Sequence, residues 1–434
     1  MRRNQRNRKR KNFREEKIKK ILEIIIFILI LLVLILIFKN LHKSNNYNEN
    51  KNSNFNNNSQ TNEQEIIENN VETTENEENT PINFTLTAIG DTLCHNTQYW
   101  DAYNSATKEY DFSYVYEDIK DYTSSSDITI GSLETTFAGE DKGYSNYPTF
   151  NSPDSLASGL KNIGVDVISL AGNHALDYGY SGLCRTIDVL DKFGISHLGT
   201  YKTAEEQEQL LIKDVKGVKI AFINYTYGTN GIPVPSNKKY CLNLIDKDLI
   251  FKQINKAKEQ NVDMIVACMH WGTEYKTVAN DEQKELADFL FKNGVDVIIG
   301  NHPHVLEPME KKTITLDDGT SKDVFVVYAL GNFTADQRDE ITRDSAILNL
   351  NITKNVDGKI SINKVDYVPI YMYKNTNVKT HKFKILDIEK SIAKYEAGDN
   401  SYINSTLYNN LKTQLNKIKN ILGDEINWLK KYSL

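Results

Sequence analysis

The chain of 434 residues is long enough for one large domain or two small ones, and 40% hydrophobic residues supply a sizeable core. The net charge of -6 is unevenly spread: Arg and Lys crowd residues 1–20 against an apolar run, a topology signal that argues against a nucleic-acid partner. The four cysteines (Cys94, Cys184, Cys241, Cys268) have no Cys-x-x-Cys spacing, which excludes a zinc knuckle and leaves buried thiols as the expectation.

In chain order, Ile24 to Phe38 is unbroken apolar sequence preceded by Ile21-Leu22 and one acid, Glu23. Residues 21–38 are just long enough to cross a bilayer as a helix. The basic arm of residues 1–20 stays in the cytoplasm, so everything after Lys39 lies outside, in a single-pass cell-membrane protein. A cleaved secretory signal is the alternative, but the run is long for a signal core and no small-x-small site follows Phe38. Both readings export the remainder.

Residues 39–81, rich in Asn, Ser, Thr and Glu, bury too little apolar surface to fold and read as a disordered tether. A folded domain is expected over 82–372, with a helical extension over 373–434. Phe84 to Ile89 alternates as a strand and stops at Gly90-Asp91. Asp127 to Ile130, Lys219 to Ile223, Asp263 to Cys268 and Asp323 to Leu330 read as further strands. Helices are expected at Pro153–Asn162 with a Ser152 cap, Tyr180–Phe193, Asp246–Glu259 and Asp281–Phe291. Strands alternating with helices point to an α/β layered fold. Ile347 to Ile352 and Ile360 to Ile362 alternate around Asp357-Gly358, a hairpin at a sheet edge or in a second sheet. From Phe383 onward the pattern reads as mostly helical, packing Leu407, Leu411, Leu415, Ile418 and Leu422 onto the domain.

The stretch Gly294 to His304, GVDVIIGNHPH, is a short buried strand ending in two imidazoles. An echo runs from Gly164 to His174, GVDVISLAGNH, and a third apolar strand runs into Met269-His270-Trp271-Gly272. Of the eight histidines, four lie in these three turns. Turns after strands are where an open α/β sheet keeps its ligand crevice. The polar residues at strand ends are Asp91, Glu134, Asn173 with His174, His270, and His302 with His304. Carboxylates, an amide oxygen and neutral imidazoles form a borderline-hard donor set that suits Mn, Fe or Zn, as one ion or two. A paired site binds a phosphate-like or tetrahedral group and activates water.

In series, Gly90-Asp91, Ser132-Leu133-Glu134, Gly172-Asn173-His174-Ala175-Leu176-Asp177-Tyr178-Gly179, His270-Trp271-Gly272-Thr273-Glu274-Tyr275, Gly300-Asn301-His302-Pro303-His304 and Ala329-Leu330-Gly331-Asn332-Phe333 resemble the CapA-type poly-γ-glutamate capsule biosynthesis proteins. The resemblance covers roughly residues 84–335. It implies a calcineurin-like metallophosphatase fold, a four-layer sandwich of two mixed sheets flanked by helices. It also implies Glu134 as the bridging ligand, Asp91 and His304 on one ion, and Asn173, His270 and His302 on the other. His174 would be a general acid oriented by Asp177, and Trp271, Glu274 and Tyr275 would contact substrate. Departures are present. The metallophosphatase Asp-x-His opening is Asp91-Thr92-Leu93 here, so position 93 offers no ligand, and His95 is the substitute at a different spacing. Ser132 and Ala329 replace the family's usual Asn and Ser.

The resemblance implies an anchored enzyme or assembly subunit acting on an anionic surface polymer, with membrane-bound polymer synthase subunits as partners. The alternatives are a metal-dependent phosphoesterase on an exported phosphate ester, and a non-catalytic transport or scaffold component.

Overall fold

The computed structural model describes residues 80–316 and 319–423. The basic arm, the 21–38 span and the tether up to residue 79 lie outside the described residues, as do residues 424–434. Among the described residues no helix is long and apolar enough to cross a membrane.

Two sheets carry the domain. The first has eight strands, ordered Phe383–Asp387, Ile360–Lys374, Asp344–Lys354, Ile82–Thr92, Ile128–Leu133, Val167–Ser169, Ser196–Leu198, with Asn332–Thr334 also pairing with Ile82–Thr92. The second has six, ordered Met309–Thr315, Ser321–Val327, Val297–Asn301, Met264–His270, Val218–Thr226, Leu211–Val215. The first sheet is antiparallel from Phe383–Asp387 to Ile82–Thr92 and parallel from there to Ser196–Leu198, while the second is parallel at its centre and antiparallel at both edges.

Alternation along the strands sorts side chains into three apolar layers. Phe84, Leu86 and Ala88 from the first sheet meet Ile220, Phe222, Val266 and Ile299 from the second in a core between the sheets. Ile89 and Ile168 face the other way, onto the helices Ser155–Asn162 and Gly179–Lys192, through Leu160, Ile187 and Leu190. Ile265, Ala267 and Ile298 face the helices Lys247–Glu259 and Asp281–Asn293, through Ile254, Ala257, Ala287 and Leu290. The order is helix, sheet, sheet, helix.

Local chemistry sets the helix ends. The Asp246 carboxylate accepts from the backbone of Asp248 and Leu249, and Asn280 with Gln283 forms a reciprocal capping box. Gly294 closes the second of these helices at φ 119°, a conformation that favours glycine.

The segment Tyr328–Thr334 crosses from the second sheet to the first beneath the strand ends, and it demands two glycines. A Cβ at Gly300 would lie 1.8 Å from the Tyr328 carbonyl oxygen, and one at Gly90 would lie 2.0 Å from that of Gly331.

Three expectations need correction. Phe383–Asp387 is a strand at the edge of the first sheet, with the helix starting only at Ile388. Five residues are too few for a period-2 pattern to stand out beside the long helical pattern that follows. The boundary expected at 372/373 therefore falls inside the Ile360–Lys374 strand, and the C-terminal segment adds both a strand and two helices to the same domain. The helix Ser405–Leu422 sends Leu407, Leu411, Ile418 and Leu422 into the inter-sheet core. The hairpin expected from Ile347 onward lies inside the first sheet, because Phe383–Asp387 covers its outer strand.

Candidate metal centre

Both sheets deliver their polar strand ends to one place. A register irregularity between Ala88 and Asp91, measured against the neighbouring strand, re-aims the end of Ile82–Thr92. Asp91 is fully buried there. Its Oδ1 accepts from Ser132 Oγ at 2.8 Å and its Oδ2 from the His302 backbone N–H at 2.9 Å. Burial pushes its carboxyl up to about 6, against the lowering effect of those two hydrogen bonds.

Glu134 follows the Ile128–Leu133 strand, its backbone N–H donating to the Thr92 carbonyl at 3.0 Å. Both of its carboxylate oxygens are buried without a hydrogen-bond partner. Oε1 lies 3.7 Å from His270 Nε2, and Oε2 lies 3.7 Å from His304 Nδ1. Burial, and then the charges of Asp91, Glu274 and Asp177, raise its carboxyl well above the ordinary range.

His270 ends the Met264–His270 strand. Its Nε2 is 2.9 Å from Asn173 Oδ1, and its Nδ1 is buried without a partner, 4.0 Å from Asp91 Oδ1. His302 and His304 flank Pro303 with φ of 101° and 62°, both in the left-handed region that non-glycine residues rarely adopt. Such strain is held only where the surroundings over-determine the backbone. His302 Nδ1 has no partner, while His304 Nδ1 lies 3.0 Å from Asn332 Oδ1. Burial holds His302 down to about 3 and His304 down to about 4, and pushes His270 well below the ordinary imidazole value. All three are neutral at physiological pH, the form that coordinates metal.

Two trios emerge, Glu134 with His270 and His302, and Asp91 with Glu134 and His304. Within each, one ligand atom per residue lies within 4.8 Å of the others, and Glu134 belongs to both. Asn173 joins the first trio through its contact with His270. The donor set fits a divalent cation by an independent criterion. Buried carboxylate oxygens and imidazole nitrogens are ordinarily satisfied, yet Glu134, His270 and His302 have atoms aimed inward with nothing to bind.

His174 lies beside the trios, its Nδ1 2.8 Å from Asp177 Oδ2. The Phe150 backbone N–H donates to that same Asp177 oxygen at 2.6 Å, and the Phe150 ring meets His174 edge-on at 4.8 Å. Of the three expected substrate contacts, Tyr275 is half exposed with its ring 6.0 Å from that of His304, and Glu274 is exposed. Trp271 does not face the hollow. It is buried in the layer between the second sheet and its helices, where its Nε1 donates to the Tyr328 carbonyl at 2.9 Å. Strand alternation explains this, since His270 and Trp271 are consecutive and point to opposite faces. His95 joins neither trio: its Nδ1 accepts from the Asp336 backbone N–H at 3.1 Å.

Four further residues belong to the site. Ser132 orients Asp91 and Asn332 orients His304. Tyr227 lies against His302 with ring centroids 4.5 Å apart, and Asn230 reaches both Asn173 and His174. Tyr227 and Asn230 follow a parallel strand end just as the histidines do, and that position was the available signal.

These features define a class: an α/β protein of two facing mixed sheets with a buried carboxylate–imidazole centre at the strand ends. The profile of the bacterial capsule synthesis protein PGA_cap matches residues 85–337, more than half of the chain, and the chain belongs to this CapA-type family. The capsule biosynthesis protein CapA of Bacillus anthracis is 27% identical over 280 residues, 62% of this chain and 64% of that protein. The PGA biosynthesis protein CapA of Bacillus subtilis (strain 168) is 33% identical over 209 residues, 48% of this chain and 52% of that protein. The chain thus spans less than two thirds of the length of either relative. Among solved structures, a 5'-nucleotidase precursor from Thermus thermophilus superimposes with a TM-score of 0.39 at 16% identity, over 67% of this chain and 55% of its own. The NAD nucleotidase of Haemophilus influenzae gives 0.40 at 14% identity, over 79% and 61%. Superpositions this loose carry no argument about activity.

Proposed function

We propose that this chain is a membrane-anchored, exported protein of surface-polymer biosynthesis or processing, working as a metal-dependent hydrolase or transferase on a poly-γ-glutamate-like chain. The observation that carries the reading is Glu134, whose two unpartnered buried oxygens each belong to a different ligand trio. Asp91, Glu134 and His304 would hold one ion, and Glu134, Asn173, His270 and His302 the other. A bound Mn, Fe or Zn ion would polarise a carbonyl and supply a nucleophilic water near neutral pH.

The chain's own groups supply the rest. His174, with Nδ1 held by Asp177, has Nε2 as the atom that takes a proton from the attacking water and passes it to the leaving group. Tyr227 and Tyr275, each about half exposed, wall the opening beside His302 and His304. The rigid sheet ends hold these groups in place, which is where acid–base catalysis gains its precision. Residues 21–38 would anchor the protein with its folded domain outside, within reach of a polymer synthase in the same membrane.

The test incubates the full-length protein with Mn and poly-γ-glutamate, and separately with a chromogenic phosphodiester. Metal-dependent change in polymer length or attachment supports the reading. Turnover of the phosphodiester alone replaces it with a phosphoesterase.

A further inference from the structure

In the loop that leaves the Val218–Thr226 strand only Tyr227 has a part in the mechanism above, yet Asn230 reaches two of the residues that mechanism uses. Tyr227 pins the loop to the site, because its backbone N–H donates to the His270 carbonyl at 3.0 Å. Asn230, at φ 52°, turns its amide into the space between Asn173 and His174. Its Oδ1 accepts from Asn173 Nδ2 at 3.2 Å and lies 3.5 Å from Tyr227 Oη. Its Nδ2 lies 3.3 Å from His174 Nε2.

An amide has one accepting end and one donating end. With Asn230 Oδ1 on Asn173 Nδ2, the accepting end of Asn173 must face the other way, and it does, 2.9 Å from His270 Nε2. With Asn230 Nδ2 on His174, the Nε2 of that ring is the acceptor. Its proton then sits on Nδ1, against Asp177 Oδ2. Rotating either amide by half a turn sets donor against donor or acceptor against acceptor. One side chain therefore ties a metal-ligand orientation to a ring tautomer.

We propose that Asn230 is a positioning residue that aims the Asn173 oxygen into the metal centre and, through the same amide, keeps His174 Nε2 free of its proton in the resting protein. The first half rests on the reading of this site as a metal centre; the second half does not. Asn230 reaches the centre only through Asn173 and His174, so it acts through these two neighbours.

Two variants of the full-length protein separate the arms. Asn230→Gly removes the amide and tolerates the left-handed backbone. Asn230→Asp keeps an acceptor for Asn173 but presents a second acceptor to His174 Nε2. Mn affinity is read by titration calorimetry. The His174 tautomer is read from imidazole 15N shifts in metal-free protein. We expect Asn230→Gly to bind Mn about 10-fold more weakly or worse. We expect Asn230→Asp to bind at least as tightly as wild type while placing a proton on Nε2. Wild-type Mn affinity in Asn230→Gly, or a His174 Nε2 still unprotonated in Asn230→Asp, overturns the proposal. Wild-type protein that takes up no Mn overturns the metal-centre reading instead, and the 15N spectra still decide the tautomer claim.

Discussion

Replacing Glu134 with Gln should stabilise the metal-free protein at neutral pH while removing its metal. Gln has nearly the same shape, and Glu134 loses no hydrogen bond in the exchange because neither oxygen has a partner. The two proteins should be about equally stable near pH 5, where the raised carboxyl of Glu134 is still protonated in the fold. The sign follows from linkage: a carboxyl whose folded value lies above its unfolded value favours folding at low pH, and that advantage is lost as pH rises from the ordinary value of 4.5 toward the folded one. Each pH unit across that window costs wild type about 1.4 kcal/mol relative to Glu134→Gln. Contributions from the buried histidines are common to both proteins and cancel in the difference. Urea unfolding of chelator-treated protein at pH 5, 6 and 7 measures it. Adding Mn at about 100 times its Kd should then stabilise wild type by about 2.7 kcal/mol and leave Glu134→Gln unmoved. A stability difference that does not change with pH, or Mn stabilisation of both proteins, would refute the reasoning.

Metal affinity itself should depend on pH in a way the imidazoles do not set. His302 and His304, held at about 3 and 4, are already neutral above pH 5, so the protons displaced come from Glu134 and, below about 6, Asp91. The slope of log affinity against pH should fall by about one on passing pH 6, where Asp91 ceases to hold a proton, and a slope that does not change across pH 6 in calorimetric titrations would contradict it. His174→Ala should retain Mn by elemental analysis but lose about 10²–10⁴-fold in turnover; unchanged turnover removes its role. Gly300→Ala should fail to fold or lose several degrees in Tm, since its Cβ meets a backbone oxygen that no rotamer change can move. A wild-type melting curve would show that the crossing segment yields.

The strands whose two faces are both buried were readable because their apolar runs are continuous: Val297–Asn301, Met264–His270 and the echo at Val167–Ser169 all lie where their pattern put them. The helices expected from Asp246 and Asp281 start there, each opened by a side-chain cap, whereas the cap expected at Ser152 is not formed: that helix starts at Ser155 after Asp154, and the Ser152 hydroxyl pairs with Thr135. Edge strands were harder. Met309–Thr315 buries only Met309, and Leu211–Val215 only Val215, so neither has an apolar rhythm strong enough to register. The turns bearing histidine were legible from residue type and position. Ser132 and Asn332 were not legible as supports, because hydroxyls and amides acquire meaning only from the group they touch, and Asn230 offered only its place after a parallel strand end. Trp271 shows the opposite failure: its place beside His270 in the chain suggested the hollow, and the pleat turned it into the core.

The most direct test of the central claim is anomalous diffraction from crystals of the protein grown with Mn. The account predicts density within coordinating distance of Glu134, at a position shared with His270 and His302, with His304 and Asp91, or at both. A Glu134 carboxylate with no anomalous peak beside it, in crystals holding Mn at millimolar concentration, would contradict the account.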